Sequence, residues 1–369
     1  MGTEYEEHLL AKGKIINDLI RSFGPVKPAI GAANPYHYRN KVHAAVGGDR
    51  NGNLYAGTYE PGTHKVVAVE KCLLDNEKAD AIINSVVKLA KSFKYRYYNE
   101  DSKRGFLRHV LVRTAHATGE IMVTLVVGET IFPSKNNFIK ALLKEHPEIT
   151  TIIMNLNDRR TSMILGDREQ VLYGKGYIED VICNKRFKIS SKSFYQVNSE
   201  QTELLYAKAV EYAGLTGKEV IMDAYSGIGT IGIIASDKAK TVVGVESNRE
   251  AVNDAKVNLR FNKCQNVRYV AADAGEFMQD EAASGHKYDV VFMDPPRVGS
   301  DEKFIDSVVK LAPARVVYIS CNPETLARDL KLFKKKGYVM KECTPVDLFS
   351  WTMHVETVIL MTRCGFEEK

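Results

Sequence analysis

From about residue 200 onward, short apolar runs alternate with stretches of helical periodicity. The runs cover 219–223, 241–246, 267–271, 289–294 and 315–320, and Val, Ile, Tyr and Phe dominate them. Strands that alternate with helices return by crossovers and lie parallel, so this half is expected to form a doubly wound, mostly parallel, Rossmann-like α/β sheet. In such sheets ligands bind beyond the carboxyl ends of the strands. The residues that close or follow the runs are therefore the first candidates for chemistry: Asp223, Glu246, Asp273, Asp294 and Cys321.

Upstream the pattern differs. Residues 6–23 place Leu9, Leu10, Ile15, Ile16, Leu19 and Ile20 at helical spacing before Gly24-Pro25 stops it. A strand-rich stretch opens at Pro35-Tyr36-His37-Tyr38-Arg39-Asn40-Lys41-Val42, with turns at Gly47-Gly48 and Asn51-Gly52. A helix around 75–95, two alternating strands joined by Ala117-Thr118-Gly119, a further helix and a strand from Thr150 follow. Strands in succession imply an antiparallel α+β domain over roughly 30–190. The expected division is residues 1–195, an N-terminal helix with this smaller α+β region, and residues 196–369, the doubly wound domain.

The 369 residues, 44% hydrophobic, suffice for two or three domains with their own cores. Lys and Arg number 51 against 46 Asp and Glu, a formal charge of +5 that permits an anionic partner without demanding one. Lys91-Ser-Phe-Lys94-Tyr-Arg96-Tyr97-Tyr98 and Lys185-Arg186-Phe187-Lys188 interleave cations with aromatics, as phosphate neutralisation combined with base stacking requires. Solvated helix and strand faces read the same way. No apolar run reaches the roughly 18 residues needed to span a bilayer, and the acidic start is unlike a signal peptide, so a cytoplasmic location is expected. Six cysteines, at 72, 183, 264, 321, 343 and 364, show no Cys-x-x-Cys spacing and are expected to be reduced, with no metal bound.

Gly227-Ile-Gly229-Thr-Ile-Gly232 follows a strand and opens a helix, with Glu246 nineteen residues after Gly227. This satisfies the dinucleotide fingerprint, so NAD and S-adenosylmethionine both stay open on the pattern alone. Asp223 favours the second, because a carboxylate there can accept from a methionine ammonium, which NAD lacks; Glu246 suits the ribose of either. Further on, Ser320-Cys321-Asn322-Pro323 sets a thiol between a strand end and a helix start. Asn322 can cap that helix, Pro323 fits its first turn, and the helix N-terminus is expected to favour the Cys321 thiolate. A buried structural cysteine is the plain alternative. Glu356, between Val355 and Thr357 in an apolar strand, is ordinarily a surface carboxylate.

Five segments occur in one order: Ser193-Phe194-Tyr195-Gln196-Val197-Asn198, Asp223-Ala224-Tyr225-Ser226-Gly227-Ile228-Gly229, Asp294-Pro295-Pro296-Arg297, Ser320-Cys321-Asn322-Pro323 and Asp347-Leu348-Phe349-Ser350-Trp351-Thr352-Met353-His354-Val355-Glu356. Together they resemble the RNA uracil-C5 methyltransferase family, from about Tyr5 to the C-terminus. The resemblance implies a class I methyltransferase domain that transfers methyl from S-adenosylmethionine to carbon 5 of a uridine. That carbon is a weak nucleophile until a thiolate adds to carbon 6, which divides one hard step into easier ones. The resemblance makes Cys321 the nucleophile and Glu356 the base that takes the carbon 5 proton. It places Asp223, Tyr225, Gly227, Gly229, Glu246 and Asp273 on the cofactor, Gln196 and Asp294 on cofactor and base, Arg297 on RNA phosphate or ribose, and Arg39 and Lys41 on phosphates.

Three departures matter. Ser191 replaces a proline usual just upstream of Gln196. Arg297 stands where amino-methyltransferases with Asp-Pro-Pro carry a stacking aromatic. Many ribosomal-RNA members begin with a small β-barrel and three cysteines that, with a fourth, hold an iron–sulfur cluster. The segment from Glu4 aligns with the stretch just after that triplet, and Cys72 sits at the fourth position; one thiolate cannot hold a cluster, so none is expected. A truncated reading of the gene gives the same appearance. The expected partner is RNA, 23S rRNA first and tRNA second, with no membrane and a monomeric protein. The reading from another class is a non-catalytic RNA-binding or folding factor on the same scaffold.

Overall fold

The structure is a computed structural model that describes residues 3–49 and 51–365. Its described residues fall into two compact units: 3–35, 182–187 and 193–365 in one, and 36–49, 51–181 and 188–192 in the other.

Helix α1 (Thr3–Ile20) buries Tyr5, Lys12, Ile16 and Ile20, a single stripe at helical spacing. Ile16 and Ile20 join Phe333, Met340 and Cys343 in one apolar cluster. The helix therefore belongs with the C-terminal unit, and the division at 195 expected from the sequence differs on this point. The physical reason is that the buried stripe finds its apolar partners there.

The 36–192 unit is built from β1 (Lys41–Gly48), β2 (Leu54–Tyr59), β3 (Val66–Ala68), α2 (Glu77–Ser92), β4 (Leu107–Thr114), β5 (Ile121–Val127), α3 (Lys135–Glu145), β6 (Ile149–Leu156) and β7 (Arg168–Tyr173). Its seven-stranded sheet has the order β3-β2-β1-β4-β5-β6-β7. All neighbours are antiparallel except β5 and β6, which α3 connects as a crossover. Ile82, Val86, Phe138 and Leu142 of the helices meet Val110, Val112, Val123 and Leu125 of the sheet. The aromatics of the 91–98 stretch serve this core: Tyr95 packs on Phe93, Phe106, Phe132 and Phe138, and Tyr98 is buried beneath Arg108. The base-stacking reading of Tyr95 and Tyr98 is thus corrected; they are enclosed side chains.

A two-stranded sheet, β8 (Ile178–Ile182) and β9 (Lys185–Ile189), turns at Cys183 and Asn184, both with positive φ. Phe187 is again a core residue, while Lys185 pairs with Asp237 at 2.6 Å and Arg186 lies over the Phe261 ring.

The other unit continues with α4 (Ser199–Ala213), β10 (Val220–Ala224), α5 (Thr230–Ala235), β11 (Thr241–Glu246), α6 (Arg249–Phe261), β12 (Val267–Ala271), α7 (Ala274–Ala283), β13 (Val290–Met293), α8 (Glu302–Leu311), β14 (Arg315–Ser320), α9 (Pro323–Lys335), β15 (Tyr338–Val346) and β16 (Glu356–Arg363). The sheet order is β12-β11-β10-β13-β14-β16-β15. The first five strands are parallel, and β16 inserts antiparallel between β14 and β15. The order reverses at β10, so the crevice beyond the ends of β10 and β13 is where a ligand would bind. No helix among the described residues is long and apolar enough to cross a membrane.

Candidate functional site

Beyond β10 the chain makes a tight turn into α5. Tyr225, Gly227 and Gly229 all have positive φ, and Gly229 cannot be anything larger: a Cβ there would lie 2.5 Å from the Tyr269 hydroxyl. That hydroxyl donates to the Gly229 carbonyl at 2.9 Å. Asp223 is buried and accepts the Gly232 N–H at 2.9 Å; burial, outweighing that bond, raises its carboxyl to about 7. Glu246 closes β11 and accepts from the N–H groups of Gly227 at 3.0 Å and Asn248 at 2.8 Å. Tyr225 stacks against Phe304 at 5.0 Å between ring centres. Asp273 departs from its expected place at a strand end. β12 stops at Ala271, and Asp273 instead caps α7, spending one oxygen on the Glu276 N–H at 3.0 Å.

Asp294 follows β13 directly, Cys321 follows β14, and Glu356 opens β16. The antiparallel register pairs Ser320 with Thr357, so Cys321 and Glu356 come one step later at the same end of neighbouring strands. Burial first, then the Asp294 charge, raises Glu356 to about 8, with Arg297 opposing. Burial raises Asp294 to about 7. Burial, Glu356 and Asp294 push the Cys321 thiol up to about 11, against a smaller pull from Arg297. This corrects the expectation of a thiolate. Asn322 does cap α9, accepting the Glu324 N–H at 3.1 Å, but burial and two carboxylates outweigh the helix terminus.

Gln196 is buried and hydrogen-bonded to the hydroxyl of Tyr206, on the inner face of α4. Tyr206 is a site residue that the sequence does not reveal. Its spacing from Thr202, Leu205 and Ala209 reads as one more core position, and only the fold brings it within electrostatic reach of Asp294, Glu356 and Asp223. A buried polar hub holds the segment leading into β16. Asp347 accepts from Lys12 at 2.5 Å and Tyr5 at 2.6 Å, while the carbonyls of Asp347, Leu348 and Phe349 accept from Gln201, Asn198 and Lys12. His354 is exposed.

In the other unit Arg39 lies 3.5 Å from Asp75, so part of its charge is already answered. Lys41 stands directly opposite Arg113 across the β1–β4 pair; burial and that guanidinium lower it to about 8. Cys72 accepts the Leu74 N–H, and no cluster of three or more His, Cys, Asp and Glu among the described residues is arranged to hold a metal.

A doubly wound sheet with an acidic, glycine-turned first crevice defines a class I methyltransferase-like fold, here with a thiol at a later strand end. The sequence profile of the tRNA (uracil-5-)-methyltransferases matches residues 4–364, and the chain belongs to that family. It is 42% identical over 362 residues to an RNA methyltransferase of Halalkalibacterium halodurans, covering 97% of this chain and 79% of that one. An RNA methyltransferase of Clostridium tetani is 41% identical over 369 residues, covering 99% and 80%. Among solved structures, the tRNA (uracil-54, C5)-methyltransferase of Pyrococcus abyssi, in complex with S-adenosyl-L-homocysteine, superposes with a TM-score of 0.81 at 26% identity, covering 97% of this chain and 83% of that one.

Proposed function

We propose that this chain transfers a methyl group from S-adenosylmethionine to carbon 5 of a uridine in RNA, through a covalent bond between Cys321 and carbon 6. The observation that carries the reading is the meeting of Cys321, Glu356 and Asp294 at the ends of adjacent strands.

The donor set fits the cofactor. Asp223, Asp294 and Glu356 form an acidic group that attracts a cationic ammonium and sulfonium and repels the pyrophosphate of a dinucleotide. Asp223 would accept from the ammonium and Glu246 from the ribose hydroxyls, with Tyr225 and Asp273 toward the adenosyl end and the Gly227–Gly229 turn admitting close backbone approach. The cofactor supplies an electrophilic methyl group. Cys321 gives its proton to solvent and its sulfur bonds to carbon 6, and the ring's electron pair moves to carbon 5. Carbon 5 takes the methyl, with S-adenosylhomocysteine as the leaving group, Glu356 accepts the proton that carbon 5 then sheds, and the carbon–sulfur bond breaks to release the Cys321 thiolate, which takes a proton back from solvent. Asp294 and Gln196 hold the ring. Arg297, exposed at the mouth, meets a phosphate or ribose, and Lys41, with Arg39, contacts phosphates elsewhere on the RNA.

Large-subunit 23S rRNA is the first target to test, on the Ser-Phe-Tyr-Gln-Val-Asn and His-Val-Glu-Thr-Val segments; tRNA is the second, supported by the Pyrococcus abyssi structure. The test is tritium transfer from labelled S-adenosylmethionine to 23S rRNA and tRNA transcripts. Label recovered as 5-methyluridine in either, and lost with Cys321→Ala, supports the reading and names the target. Label in neither, from a protein that binds both RNAs, points to the non-catalytic RNA-binding alternative.

A further inference from the structure

The loop that follows Asp294-Pro295-Pro296 is fastened to one face of α9, the helix that Asn322 caps just after Cys321. Asn322, Thr325, Arg328 and Asp329 recur at the three- and four-residue spacing that shares a helix face. Asn322 Nδ2 donates to the Arg297 carbonyl at 3.0 Å, and the Thr325 hydroxyl shares its proton between the Arg297 and Asn322 carbonyls, each at 3.2 Å. Arg328 Nη2 donates to the carbonyls of Val298 and Ser300, both at 2.9 Å. Asp329 is inaccessible to solvent, and three donors reach it at 2.8 Å: the Ser300 N–H, the Arg328 Nε–H and, from β14, the Tyr318 hydroxyl. Gly299 lies close over this pair. Its φ is +73°, and a Cβ there would come within 2.6 Å of Arg328 Nη2.

Asp329 therefore ties together the strand that delivers Cys321, the helix that follows it and the loop that carries Arg297. Arg297 is exposed, so its backbone rather than packing decides where its guanidinium can reach. That backbone is bonded to Asn322, the neighbour of Cys321 in the chain, and the Arg297 charge acts on both the Cys321 thiol and Glu356. We propose that Arg328 and Asp329 are positioning residues that clamp the 297–300 loop onto α9 and so keep the Arg297 guanidinium beside the Cys321 thiol. The importance of this clamp for catalysis rests on the uridine-C5 reading of the site. The clamp itself does not, because it is a property of the free protein.

The test reads the charge beside the thiol in the full chain, without RNA or cofactor. Iodoacetate and iodoacetamide are similar in size and differ by one negative charge. The ratio of their rates at Cys321, followed by peptide mapping at low ionic strength, reports the local charge, and the thiolate fraction cancels from it. Arg297→Ala is expected to lower the iodoacetate-to-iodoacetamide ratio about threefold, as loss of one partly screened charge would. Arg328→Met should lower it at least about twofold, and adding Arg328→Met to Arg297→Ala should change it less than about 1.5-fold, because Arg328 acts through Arg297. Cys343 is buried and monitors folding. If Arg328→Met speeds its labelling, Thr325→Val decides instead, with an expected fall in the Cys321 ratio of about 1.5-fold. An unchanged ratio in the folded Arg328→Met protein, or in Thr325→Val where that variant decides, overturns the proposal. So does a further fall on the Arg297→Ala background, since Arg328 would then act by its own charge, and so does an Arg297→Ala ratio equal to wild type. The tritium assay can fail while this ratio moves as expected, and that result would overturn the uridine-C5 reading and leave the clamp standing.

Discussion

A thiol between an apolar interior and two carboxylates keeps its proton, and Cys321 is in that position. Alkylation by iodoacetamide in the free protein should therefore keep accelerating up to about pH 10, with no plateau near neutrality. Glu356→Gln removes a charge that raises the thiol, so alkylation at pH 9 should speed up several-fold; Arg297→Ala removes the opposing charge and should slow it. Stability follows the same charges. Glu356 is raised in the folded state, so its neutral form is the favoured one. The folded protein is penalised increasingly as pH rises from the unfolded carboxyl value through about 8. Glu356→Gln should accordingly leave unfolding free energy unchanged at pH 4 and raise it by about 2 kcal/mol or more at pH 9, read from urea titrations. Asp294 and Cys321 stood out as candidates in the sequence by strand-end position, and Glu356 only through the order of the motifs, since by itself it reads as a surface carboxylate. Tyr206 did not, since a tyrosine at a core helical position carries no local sign of what lies opposite. Nor did the thiol's protonation, which depends on charges brought from residues 294 and 356.

Strand positions were the most legible elements. The runs at 241–246, 267–271 and 315–320 are strands with those bounds, and the other two differ by one residue at each end, because apolar alternation and turn residues are local signals. What α1 packs against was not legible. Its partner Asp347 lies 335 positions from Lys12, and the pairing is set by the fold. Lys12 and Asp347 are both essentially inaccessible, and Asp347 also takes the Tyr5 and Ser350 hydroxyls. Lys12→Met should cost about 3 kcal/mol by leaving a buried carboxylate uncompensated, whereas Lys12→Met with Asp347→Asn should cost less than the sum of the single changes. At the α5 turn, Gly229→Ala forces a left-handed residue against Tyr269. Calorimetry should show its affinity for S-adenosylmethionine reduced at least about 10-fold.

For the molecule as a whole, the proposed reaction uses the doubly wound unit for chemistry and the α+β unit for part of the RNA grip. Charge clusters in the sequence misdirected here: the aromatics of 91–98 fill a core, while a single lysine at 41, opposite Arg113, is the better phosphate candidate. Lys41→Ala should weaken RNA binding and lower the slope of log affinity against log salt by about 1, with cofactor affinity unchanged. In wild type the grip should weaken between pH 7 and 9 as Lys41, lowered to about 8, loses its charge. The central claim is that one thiol bonds to the base, and peptide mapping of the complex with 5-fluorouridine-substituted RNA and S-adenosylmethionine tests it most directly. The account predicts a methylated fluorouridine remnant on the peptide containing Cys321 and none from Cys321→Ala. Methylated RNA released with no adduct on that peptide, or an adduct on another cysteine, would contradict it.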